Sequence, residues 1–420
     1  MQEHERQGII CFMNLHDGDM YHGLAEQRRD ALRVLAGGIL GMMVAMGIGR
    51  FAYTPILPLM QRELGLTNAV AGWLASLNYA GYLAGAIGCA LFPGMLRSSV
   101  VNVGALAACI ATTFLMGTNA SPVWWGSLRC LAGIASAILF VGIAVEVTEI
   151  LTRHACSRWV GALYGGIGLG IALSGIMVPL FGRIAGWRSA WFGMGGVAAV
   201  LAVAGVMLAH KRGTALVVPA AGPHAGGGPG TIRLLSGAYF CEGCGYIITA
   251  TFIVAIIART PGLESFAPLS WVAVGLAAAP STILWQLTSR RIGLRPALIL
   301  AHTVQTAGIL ISIRAQSAAA AGLAAVLFGG TFLGIVTLVM AEATRRCAGK
   351  ARQAAAVLTA CFGAGQVIAP PLAGLLADSR GGFALPLIGA AGAVALGGVL
   401  IAFDRGFRQA PQETGMETGR

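Results

Sequence analysis

The chain has 420 residues, 56% of them hydrophobic and only 10% charged, with a mean hydropathy of +0.77. Soluble domains carry about 25% charged residues, which excludes the ordinary globular classes. The net charge of +12 sits in short loops between apolar runs, not in a stripe interleaved with aromatics, so no nucleic-acid partner is expected. A spanning helix takes about 20 apolar residues, and 61 glycines suit close packing of such helices. The expected fold is an all-α membrane protein with the lipid bilayer as partner.

In chain order, residues 1–30 are polar and hold six acids, including Asp17, Asp19, Glu26 and Asp30. That is the wrong flank for a signal peptide, whose charged start is basic, so a cytoplasmic tail is expected. Apolar spans follow at 32–60, 69–92, 99–117, 122–146, 159–181 and 189–209. Residues 210–231, rich in Gly, Pro and Ala and carrying Lys211 and Arg212, read as a linker. Six more spans occupy 234–258, 268–288, 296–313, 319–342, 353–376 and 383–403, and residues 406–420 form a second tail. Twelve transmembrane helices are expected, in six-helix halves over 31–209 and 232–405.

Internal similarity supports a duplication. Gly133 precedes Glu146 by thirteen residues in the fourth span, as Gly329 precedes Glu342 in the tenth. Gly47-Ile-Gly49 in span one matches Gly243-Cys-Gly245 in span seven, and Gly168-Leu-Gly170 in span five matches Gly363-Ala-Gly365 in span eleven. Matches in corresponding order suggest parallel repeats about an axis normal to the membrane. With both termini inside, the inner loops hold thirteen Lys and Arg and the outer loops six, which predicts cytoplasmic termini.

Nine cysteines are scattered through the chain. Cys241 and Cys244 form a C-x-x-C within an apolar run, but with no second pair they read as packing residues; no metal and no cofactor are expected. No phosphate-cradling G-x-x-x-x-G-K-[ST] occurs and no H-E-x-x-H zinc motif, so neither ATP drive nor a membrane-embedded enzyme is expected.

Two charges stand deep in the apolar spans. Arg50 lies 14 residues beyond Ala36, roughly 21 Å along a helix. An arginine at a helix centre costs about 2.5–3.5 kcal/mol on insertion scales, so it faces a cavity or partner unless it snorkels to the interface. Tyr53 and Thr54 share its face at i+3 and i+4. Glu242 sits some eight residues into span seven, with Tyr246 and Thr249 at i+4 and i+7. A carboxylate there must pair or become neutral; it is a candidate proton-coupling group or a structural partner of another helix.

The stretches GIGRFAYTPILPLM (47–60), AGWLASLNYAGYLAGA (71–86), YGGIGLGIALSG (164–175), EGCGYIITATF (242–252), LFGGTFLGIVTL (327–338) and FGAGQVIAPPLAG (362–374) resemble the major facilitator superfamily, most closely its YbfB/YjiJ-type branch of bacterial transporters. The likeness covers most of residues 31–405. It departs between spans two and three, where Gly88 to Arg97 lacks the acidic residue of the superfamily's loop motif. The resemblance implies a secondary active transporter of the bacterial inner membrane, acting as a monomer. It would move a small-molecule organic solute by alternating access, coupled to a proton gradient; the alternative is a non-transporting receptor or scaffold on the same fold.

The resemblance also implies site residues. Spans one and seven flank the central cavity, so Arg50 and Glu242 are expected to face each other across it. Candidate substrate contacts are Arg50, Tyr53, Thr54, Asn78, Tyr82, Tyr246, Thr249 and Gln366. Glu146 and Arg153, seven apart, are similar to an E-x-x-x-x-x-x-R element of sugar carriers. With Glu149 they read alternatively as a helix-end ion-pair network, for which Glu342, Arg345 and Arg346 are the counterpart. Arg129 with Gly133 resembles the R-x-x-x-G element of proton-driven carriers. His302 and Gln305 are expected to lie peripherally, the histidine as a satisfied packing residue.

Overall fold

The computed structural model describes residues 27–209, 232–347 and 350–408. Asp17, Asp19 and Glu26 of the expected tail, the linker with Lys211 and Arg212, and residues 409–420 lie outside the described residues. No strand occurs among the described residues. The helices are α1 (Gln27–Leu64), α2 (Asn68–Leu91), α3 (Ser99–Leu115), α4 (Pro122–Arg153), α5 (Val160–Ala209), α6 (Arg233–Ala258), α7 (Ala267–Ile292), α8 (Leu294–Ile313), α9 (Ala318–Arg346), α10 (Ala351–Arg380) and α11 (Ala384–Phe403). Helix α1 begins at Gln27, inside the stretch expected to be tail.

Ten helical segments are long and apolar enough to cross a membrane; α3, with 17 residues, is shorter. The 50-residue α5 is broken at Ala185 (φ −149°, ψ 40°) and Gly186 (φ 63°, ψ −142°). Gly186 holds a positive φ that side-chain-bearing residues rarely adopt. The Glu63 carboxylate then accepts from the Trp187 N–H at 3.4 Å, placing an anion at the start of the second arm. The break falls between the fifth and sixth expected spans.

Small residues decide which helices touch. Before the linker α1 packs on α5 and α2 on α4; beyond it α6 packs on α10 and α7 on α9. Each contact is centred on a glycine of the sequence repeats: Gly47 and Gly170 meet backbone to backbone, Gly133 lies on the Asn78 carbonyl, Gly243 on Phe362 and Gly329 on Val274. Across the linker, α2 packs on α10 and α5 on α7. There Gly168 faces Gly275, close enough that a Cβ would stand 2.6 Å from the Gly275 carbonyl oxygen. Arg153, Arg158, Arg290, Arg291, Arg345 and Arg346 gather at one end of the bundle, called the basic end below.

Candidate functional site

A cavity of about 420 Å³ lies among α1, α2, α4, α5, α6, α7, α9 and α10. Its lining runs from Arg50 in the middle of the molecule toward the basic end, through Gln286 on α7, Met340 on α9 and Thr359 on α10. Four aromatic rings come from helices before the linker (Phe51, Tyr82, Phe140, Tyr164) and four from helices beyond it (Tyr239, Tyr246, Phe332, Phe362). Arg50 is the one charged side chain in this lining.

The helix break that presents Arg50 is written locally. Residues Met43–Ile48 form a π-helical turn, in which the Gly49 N–H reaches back to the Val44 carbonyl at 2.9 Å. Such turns often mark functional sites. Pro55 then removes an N–H and crowds the Phe51 carbonyl one turn earlier. Carbonyls freed in the apolar interior need other donors, and Arg129 supplies them. Its Nη1 lies 3.4 Å from the Gly49 oxygen and its Nη2 3.3 Å from the Arg50 oxygen, with the guanidinium over the Tyr53 ring at 4.7 Å. Arg129 thus makes no ion pair among the described residues; it braces the turn that carries Arg50.

Arg50 is 3% exposed and stacks over Tyr79 and Tyr82, each 4.6 Å from ring centre to guanidinium carbon. Its Nη2 donates to Gln366 Oε1 at 2.7 Å and lies 3.4 Å from the Tyr246 hydroxyl, to which Gln366 Nε2 donates at 2.7 Å. Arg50 Nε has no partner, and no acid pairs with the guanidinium among the described residues.

Glu242 does not face Arg50. It is fully buried between α6 and α8, where Oε1 accepts from Gln305 Nε2 at 2.8 Å and Oε2 lies 4.0 Å from His302 Nε2. Both of the latter atoms lack hydrogen-bond partners. The expectation of an Arg50–Glu242 pair is therefore corrected: Tyr239 and Tyr246 line the cavity, while Glu242, beside them on α6, is bound to Gln305 on α8 and is not part of the lining. His302 is likewise no satisfied packing residue, since only its Nδ1 is partnered, with the Leu298 oxygen at 2.8 Å.

Of the other expected contacts, Tyr82, Tyr246 and Gln366 line the cavity with Arg50. Tyr53, Thr54, Asn78 and Thr249 do not. Tyr53 donates to the Ala71 oxygen (3.0 Å), Thr54 to the Ala250 oxygen (2.8 Å) and Asn78 to the Arg129 oxygen (2.9 Å), and the buried Thr249 hydroxyl has no partner. Sequence reasoning missed Tyr164, Tyr239, Phe332 and Phe362, which carry no signal separating a cavity ring from a packing ring.

At the basic end, Arg153 pairs with Glu149, while Glu146 makes no ion pair among the described residues. Glu342 binds Arg345 Nη2 and Arg346 Nε, both at 2.6 Å, and Arg346 reaches Asp404 at 2.7 Å. The opposite end is sealed across the linker. Besides the Thr54–Ala250 contact, Ser76 Oγ donates to the Val367 oxygen at 2.5 Å. The Asp378 carboxylate accepts from the Asn68 N–H (3.1 Å), the Asn68 amide (2.7 Å) and the Ala69 N–H (2.8 Å) at the start of α2.

Residues 42–402 match the family described as "Uncharacterised MFS-type transporter YbfB". The chain belongs to this family. It is also 25% identical over 140 residues to the uncharacterized MFS-type transporter YceJ of Bacillus subtilis (strain 168), a match spanning 32% of this chain and about a third (36%) of that relative. Crystal structures of the nucleoside transporter NupG and a mutant of it share the fold, with a TM-score of 0.66 at 14% identity over 88% of this chain and 98% of theirs. The YbfB-type family and these structural neighbours are membrane transporters, not enzymes.

Proposed function

We propose that the chain is a secondary active transporter that moves a small organic solute by alternating access, driven by a proton gradient. The observation that carries this is the asymmetry of the cavity: Arg50 faces a chamber running toward the basic end, while Thr54, Ser76 and Asp378 close the opposite end. On this reading the bundle makes twelve crossings, with α5 counted twice at its Ala185–Gly186 break and α3 counted once. Two six-helix halves then rock on the glycine-lined α2–α10 and α5–α7 contacts. The basic end is cytoplasmic by the positive-inside rule, in a bacterial inner membrane, and a monomer suffices because the cavity is complete within one chain.

Glu242 supplies the coupling acid. Protonation removes a buried charge held by one amide, and α6 transmits the change to Tyr239 and Tyr246 on its cavity face.

The test needs no substrate. In a variant without native cysteines, Thr54→Cys should react slowly with an impermeant maleimide from the outside. Adding Asp378→Asn, which weakens the charge-assisted cap on α2, should raise that rate several-fold and lower the reactivity of Thr359→Cys from the cytoplasmic side. A receptor or scaffold that never opens would show no such reciprocal change, and that result would overturn the proposal.

A further inference from the structure

The contents of the cavity restrict its cargo. We infer that it takes an aromatic carboxylate, with the carboxylate on Arg50 and the ring among Tyr246, Phe332 and Phe362. This rests on the transport reading above and names the solute class.

Charge is the first argument. A buried guanidinium with no acid beside it is costly, and its aromatic and amide neighbours compensate only in part. Glu242, the acid nearest in sequence to the cavity rings of α6, is turned toward Gln305 and His302. Arg50 is the one charged side chain of the lining, and its stacking on Tyr79 and Tyr82 fixes the guanidinium plane. Such a fork suits a carboxylate, which it binds through two parallel hydrogen bonds.

Shape is the second. The rings beyond the linker are close to parallel: Tyr246 lies 7° from Phe332 at 5.6 Å and 5° from Phe362 at 5.4 Å, and Tyr239 lies 15° from Phe362 at 4.3 Å. At these spacings the parallel rings are offset-stacked, and Tyr82 and Phe140 meet edge to face at 60°. The stack begins at the hydroxyl contacted by Arg50. An aromatic solute anchored at the guanidinium can pair with these ring faces and edges, which a saturated ring cannot do.

Hydrogen-bonding capacity is the third. A sugar or nucleoside needs a polar partner for each hydroxyl it buries. The Thr282 hydroxyl is already donated to the Gly161 oxygen (3.0 Å), that of Thr337 to the Gly334 oxygen (2.9 Å), and the Gln366 amide to Tyr246. Gln286 and Thr359, toward the basic end, and the hydroxyls of Tyr82, Tyr164 and Tyr239 remain. The cavity therefore offers one charged anchor, Arg50, among eight aromatic rings. A volume of about 420 Å³ holds a solute of one or two rings.

The experiment uses the purified full chain in nanodiscs with [14C]benzoate as probe, competed by cyclohexanecarboxylate, benzylamine or uridine. Benzoate should bind saturably, and cyclohexanecarboxylate, with equal charge and no flat face, about tenfold more weakly. Benzylamine and uridine should not compete. Arg50→Lys should weaken benzoate at least about tenfold. Phe362→Leu should narrow the gap between the two carboxylates, which mere loss of folding would not do. Preference for uridine or benzylamine, equal affinity for the two carboxylates, or no benzoate binding would each overturn the inference. None of these would touch the transport reading, which the maleimide test decides without ligand.

Discussion

Arg50 and Glu242 are charges of opposite sign on α1 and α6, the first described helix and the first beyond the linker. Each is 3% exposed or less, and each is held by a glutamine. Their surroundings differ in kind. Arg50 projects from a broken helix into the cavity, clasped by rings from both sides of the linker. Glu242 stands on an unbroken helix and is not part of the lining, facing an imidazole and an amide on α8. Under the proposed function the contrast separates two tasks within one membrane interior: a charge that meets cargo needs a chamber, whereas one that holds a proton needs a dry pocket whose occupancy alters how its helix sits.

Removing the cavity charge should have the largest effect. Arg50→Ala should lower every mode of transport, gradient-driven uptake and exchange alike, by about a hundredfold or more. That corresponds to about 2–5 kcal/mol for deleting one partner of a buried charge-assisted contact. Membrane abundance should stay normal, because losing the unpaired guanidinium also removes a desolvation cost. Uptake unchanged at equal abundance would mean that Arg50 serves only the fold.

Next in size is Glu242→Gln, which keeps the shape and the Gln305 contact but fixes the side chain in a neutral form. Accumulation driven by a pH gradient should fall at least about tenfold, while counterflow exchange, with no net proton movement, should persist. His302→Gln should behave in the same direction with a smaller loss, since it leaves the carboxyl in place. Loss of both modes in Glu242→Gln would merge its role with that of Arg50, and the distinction drawn above would collapse.

The sequence revealed some layers of this arrangement better than others, for a physical reason. Helix positions follow from apolar length, and the α5 break lies beside Gly186, where the apolar runs at 159–181 and 189–209 separate. Contacts between helices follow from glycines: Gly47, Gly133, Gly243 and Gly329 each mark a close backbone approach. The face a side chain takes was harder to read. A membrane helix is apolar toward lipid and toward its neighbours alike, so the periodicity that orients a soluble helix fades. Thr54 and Asn78 stand at cavity depth, yet they turn to the Ala250 and Arg129 carbonyls on adjacent helices. Phe332 and Phe362 belong to the cavity wall, although in sequence they look like any packing ring. The bracing of Gly49 and Arg50 by Arg129 depends on a contact spanning some 80 positions, which no local motif encodes.

The smallest expected effect comes from a second pairing of like elements, the acid–arginine clusters at the basic ends of α4 and α9. In Glu149–Arg153 the arginine side chain is 44% exposed, whereas Glu342 is fully buried and Arg346 only 4% exposed. Exposed pairs contribute about 0.2–1 kcal/mol, while removing one partner of a buried pair costs about 3–5 kcal/mol because the other charge stays uncompensated. Arg346 retains Asp404 when Glu342 is lost, which places that variant at the lower end of the range. Glu149→Gln should therefore leave transport within about twofold of the parent and hardly move the melting temperature. Glu342→Gln should lower the melting temperature by several degrees, and the double variant should be additive because the two clusters share no partner. If Glu149→Gln slowed transport strongly without changing thermal stability, the exposed pair would be acting in the conformational cycle, and burial would be the wrong guide to which cluster matters.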